Sequence, residues 1–227
     1  MLIFPEEVLL LLLDDDEGVF LSVGKSTLEL ALTGSVLMEL AFADRIDTDA
    51  RRGPVTVIDR APTGNPSLDQ TLERIAHDGE TRDVRDWIET LSEESPATIQ
   101  EQTLTNLVGR GILRRERSNL LQESIQHLWI FRSPRYFVVD STAKHAVKRR
   151  LTEVLFSDDI PHPRDVALVC LIAACDILRF LFMAEELERT VPRLDQLRKM
   201  DRIGREIDGA ITEIERTHAQ AMAHPLA

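Results

Sequence analysis

DVALVCLIAACDILRFLFM, residues 165–183, is the stretch whose reading decides the fold. Ten apolar residues run unbroken from Val166 to Cys175, and only Asp176 and Arg179 interrupt the remainder. A helix that is apolar on nearly every face lies inside a protein or inside a bilayer. A bilayer span takes about 18 or more residues with almost no charge, which this stretch does not supply. As a single helix it would extend roughly 28 Å, about the width of a small domain. The expectation is a central helix over 165–183 with the other elements laid around it. His162-Pro163 punctuates its start, and Asp165 places a carboxylate at the positive end of the helix dipole.

Around that stretch the chain reads as one domain, residues 1–227, large enough to bury a real core. Leucine is plentiful and aromatic residues make up only 5%, which favours helices over a sheet sandwich. A net charge of −12 argues against a general polyanion binder. The charge is uneven, however. Between Gly111 and Arg150 lie Arg114, Arg115, Arg117, Arg132, Arg135, Lys144, Lys148, Arg149 and Arg150 against only Glu116, Glu123 and Asp140. That excess of cations points to an anionic partner for one face, or to pairing with acidic neighbours. Cys170 and Cys175 both fall in the apolar stretch, five residues apart and on different sides of a helix. They read as small core residues of a reducing compartment, and the absence of a basic n-region at Met1-Leu2-Ile3-Phe4 fits a cytoplasmic chain.

Along the chain, Pro5-Glu6-Glu7 opens a helix through Leu13, its carboxylates near the positive end of the dipole, and Asp14-Asp15-Asp16-Glu17-Gly18 forms a turn. Val19–Val23 reads as extended. Ser26 or Thr27 caps a second helix whose apolar residues Leu28, Leu32, Val36, Leu37 and Leu40 keep a helical period. Arg45–Asp47 and Val55–Asp59 make a small β-hairpin. Ser67 caps a helix over 68–75, Trp87 anchors another over 84–91, and Ser95-Pro96 starts a third. A long hairpin is expected over 111–140, its arms 112–117 and 128–139, with Pro134 confining the return arm to an edge. Ser141 caps a basic helix through Phe156, and Pro192 breaks the chain before a last helix, Leu194 to His218. The fold class is mainly α: a bundle around the central helix, with one long and one small hairpin.

Little chemistry emerges. Gly18 and Gly24-Lys25-Ser26 are separated by five residues where a phosphate loop needs four. The six histidines show no metal spacing, and no nucleophile elbow or paired acid and base is present. Neither a catalytic residue, a metal nor a cofactor is expected. A winged-helix reading of 104–115 lacks cations on its recognition helix, which carries Glu101, Gln102, Thr103, Thr105 and Asn106, so no nucleic-acid partner is expected.

Several segments in order resemble the Golgi phosphoprotein 3 family. They are Pro5–Leu11, then Leu32-Thr33-Gly34 with Leu37–Ala41 and Asp44-Arg45-Ile46, then Ala61-Pro62-Thr63-Gly64 with Leu68-Asp69 and Leu72. Trp87–Leu91, Leu107-Val108, Gly111-Ile112-Leu113 with Glu116, and Ala173–Leu178 complete the set. The resemblance implies a non-enzymatic peripheral membrane protein. It would bind phosphatidylinositol 4-phosphate, contact short cytoplasmic tails of membrane enzymes, and self-associate through the hairpin. The family's lipid pocket uses a tryptophan before the second helix, an arginine in a Leu-Arg-Gly step, and two basic residues on the helix leading to the hairpin. Here those positions fall at Gly24, Thr33, Ala97 and Gln100, none of which carries charge. Lys25 lies beside the first and is a candidate anion contact that would partly substitute for it. Arg110, Arg114, Arg115 and Arg117 are the candidate anion contacts that remain, and Leu120, Leu121, Trp129 and Phe131 are the candidate oligomerisation residues of the hairpin. The expected function is binding to a phosphoinositide or other anionic lipid surface. The alternative is a protein-interaction or oligomerisation module without a lipid site.

Overall fold

The computed structural model describes residues 1–48, 53–94, 96–116, 134–200 and 202–223. Nine helices account for most of these: α1 (Phe4–Leu12), α2 (Lys25–Phe42), α3 (Pro66–Ala76), α4 (Val84–Glu94), α5 (Pro96–Gly109), α6 (Ser141–Phe156), α7 (Pro163–Ala174), α8 (Ala184–Met200) and α9 (Arg202–Ala223). Two antiparallel hairpins accompany them among the described residues. β1 (Ile46–Asp47) pairs with β2 (Thr56–Val57), and β3 (Leu113–Glu116) with β4 (Arg135–Val138). Leu113 lies opposite Val138 and Glu116 opposite Arg135, so β4 begins directly after Pro134. The expected long hairpin is thus described only at its base, because its tip lies outside the described residues.

The hub of the bundle is α2, a correction to the expected central role of 165–183. Every residue from Leu30 to Met38 is buried, and α1, α3, α4, α5, α7 and α9 all pack on it. Its buried hydroxyls satisfy themselves: Thr33 donates to the Glu29 carbonyl at 2.7 Å and Ser35 to the Leu32 carbonyl at 2.6 Å. Gly34 lets the bundle close on this helix. A Cβ there would stand 3.0 Å from Leu171 Cδ1, 3.1 Å from Ile211 Cδ1 and 3.2 Å from Ile207 Cγ2. Gly34→Leu is therefore expected to cost about 1–3 kcal/mol through overpacking, read as a lower urea midpoint with an unchanged slope.

The stretch 165–183 is also not one helix. α7 ends at Ala174, and Asp176 turns into the left-handed region at φ 52°. The Ile177 amide then donates to the Ile172 carbonyl at 2.9 Å and the Asp176 amide to the Ala173 carbonyl at 3.1 Å. This is the paired closure of a Schellman ending, with aspartate in the place usually held by glycine. α2 ends the same way at Asp44 (φ 53°), with Arg45 donating to the Leu40 carbonyl at 2.9 Å. After α7 come a 3-10 turn, Leu178–Phe180, and then α8 and α9, two helices where one was expected. Pro192 lies inside α8 rather than breaking the chain before it.

Three expected caps shift by one to three residues. Gly24 rather than Ser26 or Thr27 precedes α2. Asn65 caps α3 by accepting from the amides of Ser67 and Leu68, and Asp140 caps α6 by accepting from Thr142. The extended piece 19–23 reduces to a bridge between Phe20 and Leu13. The 14–18 turn is laid against β4 instead: the Gly18 carbonyl accepts from the Tyr136 amide at 2.8 Å. With φ at 66° and the Phe137 ring 2.8 Å from a would-be Cβ, position 18 has room only for glycine.

Candidate functional site

The four positions singled out by resemblance fall on two packed helices but offer little to a ligand. Gly24 is the exposed N-cap of α2, and Lys25 begins the helix almost fully in solvent, 3.6 Å from Glu29. Thr33 is completely buried, its hydroxyl committed to the backbone. Ala97 is exposed and Gln100 half-buried at the start of α5. A cleft of about 290 Å³ between α3, α4 and α5 is lined by Gln70, Arg74, His77 and Thr98 but by none of the four.

The basic segment divides into cations that the fold consumes and cations that it leaves outside. Lys144 is buried, its ammonium donating to the Leu13 carbonyl and to Asp15 at 2.6 Å. This bond ties α6 to the 14–18 turn. Arg150 spans Glu7 and Asp165, the latter at 2.6 Å. Arg110 reaches both carboxylate oxygens of Glu6, at 2.9 and 2.7 Å, and so joins the N-terminal helix rather than the neighbourhood of Gln100. Facing water are Arg114, Arg115 and Arg135 on the hairpin base and Lys148 and Arg149 on α6. Arg114 pairs with Glu116 and lies 5.5 Å over the Phe137 ring. Arg149 pairs loosely with Glu153 at 3.7 Å. Val139 and Val19, 61% and 38% exposed, belong to the same region through the contact of the 14–18 turn with β4. Asp14, within that turn, is held below the usual carboxylate range by the amides of Glu17 and Asp16, with the charges of Lys144 and Lys148 adding to the effect. Arg117 and the hairpin residues Leu120, Leu121, Trp129 and Phe131 lie outside the described residues.

The most elaborate polar cluster was not legible in the sequence. Glu6 and Glu7, expected simply as carboxylates at the helix dipole, are buried beneath three guanidiniums. Arg164 presents both Nη atoms to Glu39, at 3.0 and 2.6 Å, donates to the Leu2 carbonyl at 3.1 Å, and lies 3.9 Å over the Phe4 ring. Glu39 in turn accepts from the Phe4 amide at 2.8 Å. Arg110 and Arg150 close the cluster on the other side. It pins the start of α1 onto α2, α5, α6 and α7.

Burial raises the Glu7 carboxyl above its ordinary value, against the hydrogen bond and charge of Arg150. A carboxyl raised on folding weakens the fold as pH climbs, because the folded chain must release a proton that it holds more tightly than the unfolded chain does. Glu7→Gln removes that titration. Its stability relative to the parent chain is expected to rise as pH increases from 4.5, the ordinary value, toward neutrality, followed by urea denaturation at each pH.

Among the described residues, this geometry assembles no reacting constellation. His162 Nδ1 caps α7 by accepting from the Arg164 amide at 3.2 Å, and His77 Nδ1 lies 2.8 Å from the Glu73 carbonyl. Both cysteines are buried and neither forms a disulfide, and burial pushes the Cys175 thiol far up. Among the described residues, no group of three or more His, Cys, Asp and Glu side chains is placed to hold a metal. No helix among them is long and apolar enough to cross a membrane.

The chain is 30% identical to vacuolar protein sorting-associated protein 74 of Schizosaccharomyces pombe, over 85% of this chain and 64% of that protein. It is 27% identical to the protein of the same name from Eremothecium gossypii, over 81% of this chain and 62% of that one. The chain thus spans less than two thirds of the length of either relative. The profile of the Golgi phosphoprotein 3 (GPP34) family matches residues 4–214, nearly the whole length, and the chain belongs to that family.

Proposed function

We propose that this chain is a non-enzymatic peripheral membrane protein of the cytoplasm that binds an anionic lipid surface, phosphoinositides included. The observation that carries this reading is the sorting of the basic segment. With Lys144, Arg150 and Arg110 paired to carboxylates of the fold, Arg114, Arg115 and Arg135 stay in solvent on the hairpin base, near the exposed Val19 and Val139, and Lys148 and Arg149 stay in solvent on α6. Cations interspersed with apolar side chains suit the boundary of an anionic bilayer, where each basic residue near the surface contributes about 1 kcal/mol. The doubly charged headgroup of a 4-phosphoinositide would be drawn to the same cations, because the family-position residues Gly24, Thr33, Ala97 and Gln100 carry no charge.

The protein partner under this reading is a second copy, or the short tail of a membrane protein, met through the hairpin. The uncharged family positions, with Thr33 fully buried, also favour a second reading. In it the chain is an interaction module that keeps the fold and the hairpin and does not bind lipid.

Vesicle co-sedimentation separates the two. Phosphatidylserine vesicles are expected to sediment the chain at low salt. Arg115→Glu with Lys148→Glu should abolish sedimentation, while Lys25→Gln changes it little. Sedimentation of the charge-reversed variant equal to that of the parent chain would show that the basic face is not the lipid contact, and no sedimentation of either favours the interaction module.

A further inference from the structure

A cleft of about 320 Å³ opens between the start of α1, the junction of α5 with β3, and α6. That volume lies at the small end of ligand-binding cavities. Its floor is apolar, formed by Leu2, Ile112 and Val147, and its polar wall consists of Glu7, Arg110 and Arg150. The wall is rich in donors. A guanidinium carries five N–H groups in a fixed fork, and Arg110 and Arg150, with side chains 40% and 27% exposed, commit only part of theirs to Glu6, Glu7, Asp165 and the Met1 carbonyl. Glu7 is 2% exposed, and its Oε2 finds no hydrogen-bond partner among the described residues, although Oε1 is held by Arg150. A buried carboxyl oxygen left alone is costly unless a proton or a ligand satisfies it.

We propose that this cleft binds a small, soluble amphipathic carboxylate, its head taken by Arg110 and Arg150 and its apolar stem laid on Leu2, Ile112 and Val147. The cleft is separate from the basic face proposed for lipid, which uses other cations. Bidentate guanidinium contacts suit a planar carboxylate, and the small volume suits a short free chain better than one anchored in a bilayer.

The charges around Glu7 set how such a ligand would depend on pH. Glu7 is faced by Arg150 on α6 and by Arg164 and Asp165 on α7, with Glu6 beside it on α1 and Arg110 closing the cleft from the end of α5. With Glu7 protonated, the guanidiniums of Arg110, Arg150 and Arg164 are balanced by Glu6, Glu39 and Asp165. With Glu7 ionised, these side chains together carry one negative charge in excess, which opposes an incoming anion. Binding therefore tightens as pH falls and takes up a proton at Glu7.

Calorimetric titration of the full chain with octanoate, octanol and inorganic phosphate tests this. Octanoate is expected to bind saturably and several-fold tighter at mildly acidic than at alkaline pH, while octanol and phosphate give no saturable binding. Ala146 also lines the cleft, and Ala146→Leu, which fills it from α6 without touching a charge, should abolish octanoate binding and leave the melting curve unchanged. Glu7→Gln should keep the binding and lose its pH dependence. Equal binding of octanol or of phosphate overturns the proposal, as does octanoate binding that survives in a folded Ala146→Leu variant or is missing from the parent chain. Capture by octanoate-doped vesicles without binding in free solution overturns the soluble source.

Discussion

Arg164→Met is expected to destabilise the fold by about 3–5 kcal/mol, the cost of leaving a buried charge without its partner. Arg164 and Glu39 are only 8% and 12% exposed, and Glu39 would remain inside with the Phe4 amide as its one remaining donor among the described residues. Methionine keeps much of the stem that lies on the Phe4 ring, so the loss reports charge more than volume. Glu39→Gln in the same chain should recover a large share, because two buried groups made neutral together cost far less than one left charged. Urea denaturation of the two single variants and the double variant measures the coupling. A loss below about 1 kcal/mol in the single variant, the range of exposed pairs, would show that water reaches this pair and that α1 is not held by it.

Trp87→Ala should cost a similar amount, about 3–5 kcal/mol, by the removal of a large buried ring. Trp87 is 1% exposed on α4, which packs against α2, α5 and α9, and the guanidiniums of Arg74 and Arg82 each lie 5.7 Å from its ring. Those two arginines are further tied by Asp78, at 3.1 and 2.7 Å, so the ring also supports a surface ion-pair cluster. The loss is expected as a lower urea midpoint with an unchanged slope. A cost confined to a few tenths of a kcal/mol would mean that α4 closes over the gap, contrary to its packing on three helices.

The parts of this fold that were legible in the sequence are those written locally. The apolar period of 28–41, the Ala61–Ser67 turn, the Trp87 anchor and the two hairpin bases were all read from neighbouring residues. The turn owes its form to Asp69, whose carboxylate accepts from the Thr63 amide at 2.6 Å and from the Thr63 hydroxyl at 2.7 Å. The end of α7 was missed because its left-handed residue is Asp176, and only a glycine there would have announced the break. α8 was missed because Pro192 reads as punctuation, whereas packing of the face holding Thr190 and Leu197 carries the helix through it. The N-terminal ion pairs were illegible for a simpler reason. Arg110, Arg164 and Arg150 are separated from their partners by 104, 125 and 143 residues, so only the folded topology brings them together. The same limit applied to the basic segment: charge could be counted, but which cations would be consumed at Leu13, Asp15, Glu7 and Asp165 could not.

Vesicles of matched surface charge, one set carrying phosphatidylserine and the other phosphatidylinositol 4-phosphate, test the central functional claim most directly. The chain is predicted to co-sediment with both at low salt and to be released from both as salt shortens the screening length. Failure to sediment with either kind at low salt would contradict that claim and leave a member of the Golgi phosphoprotein 3 family whose basic face serves a protein partner instead.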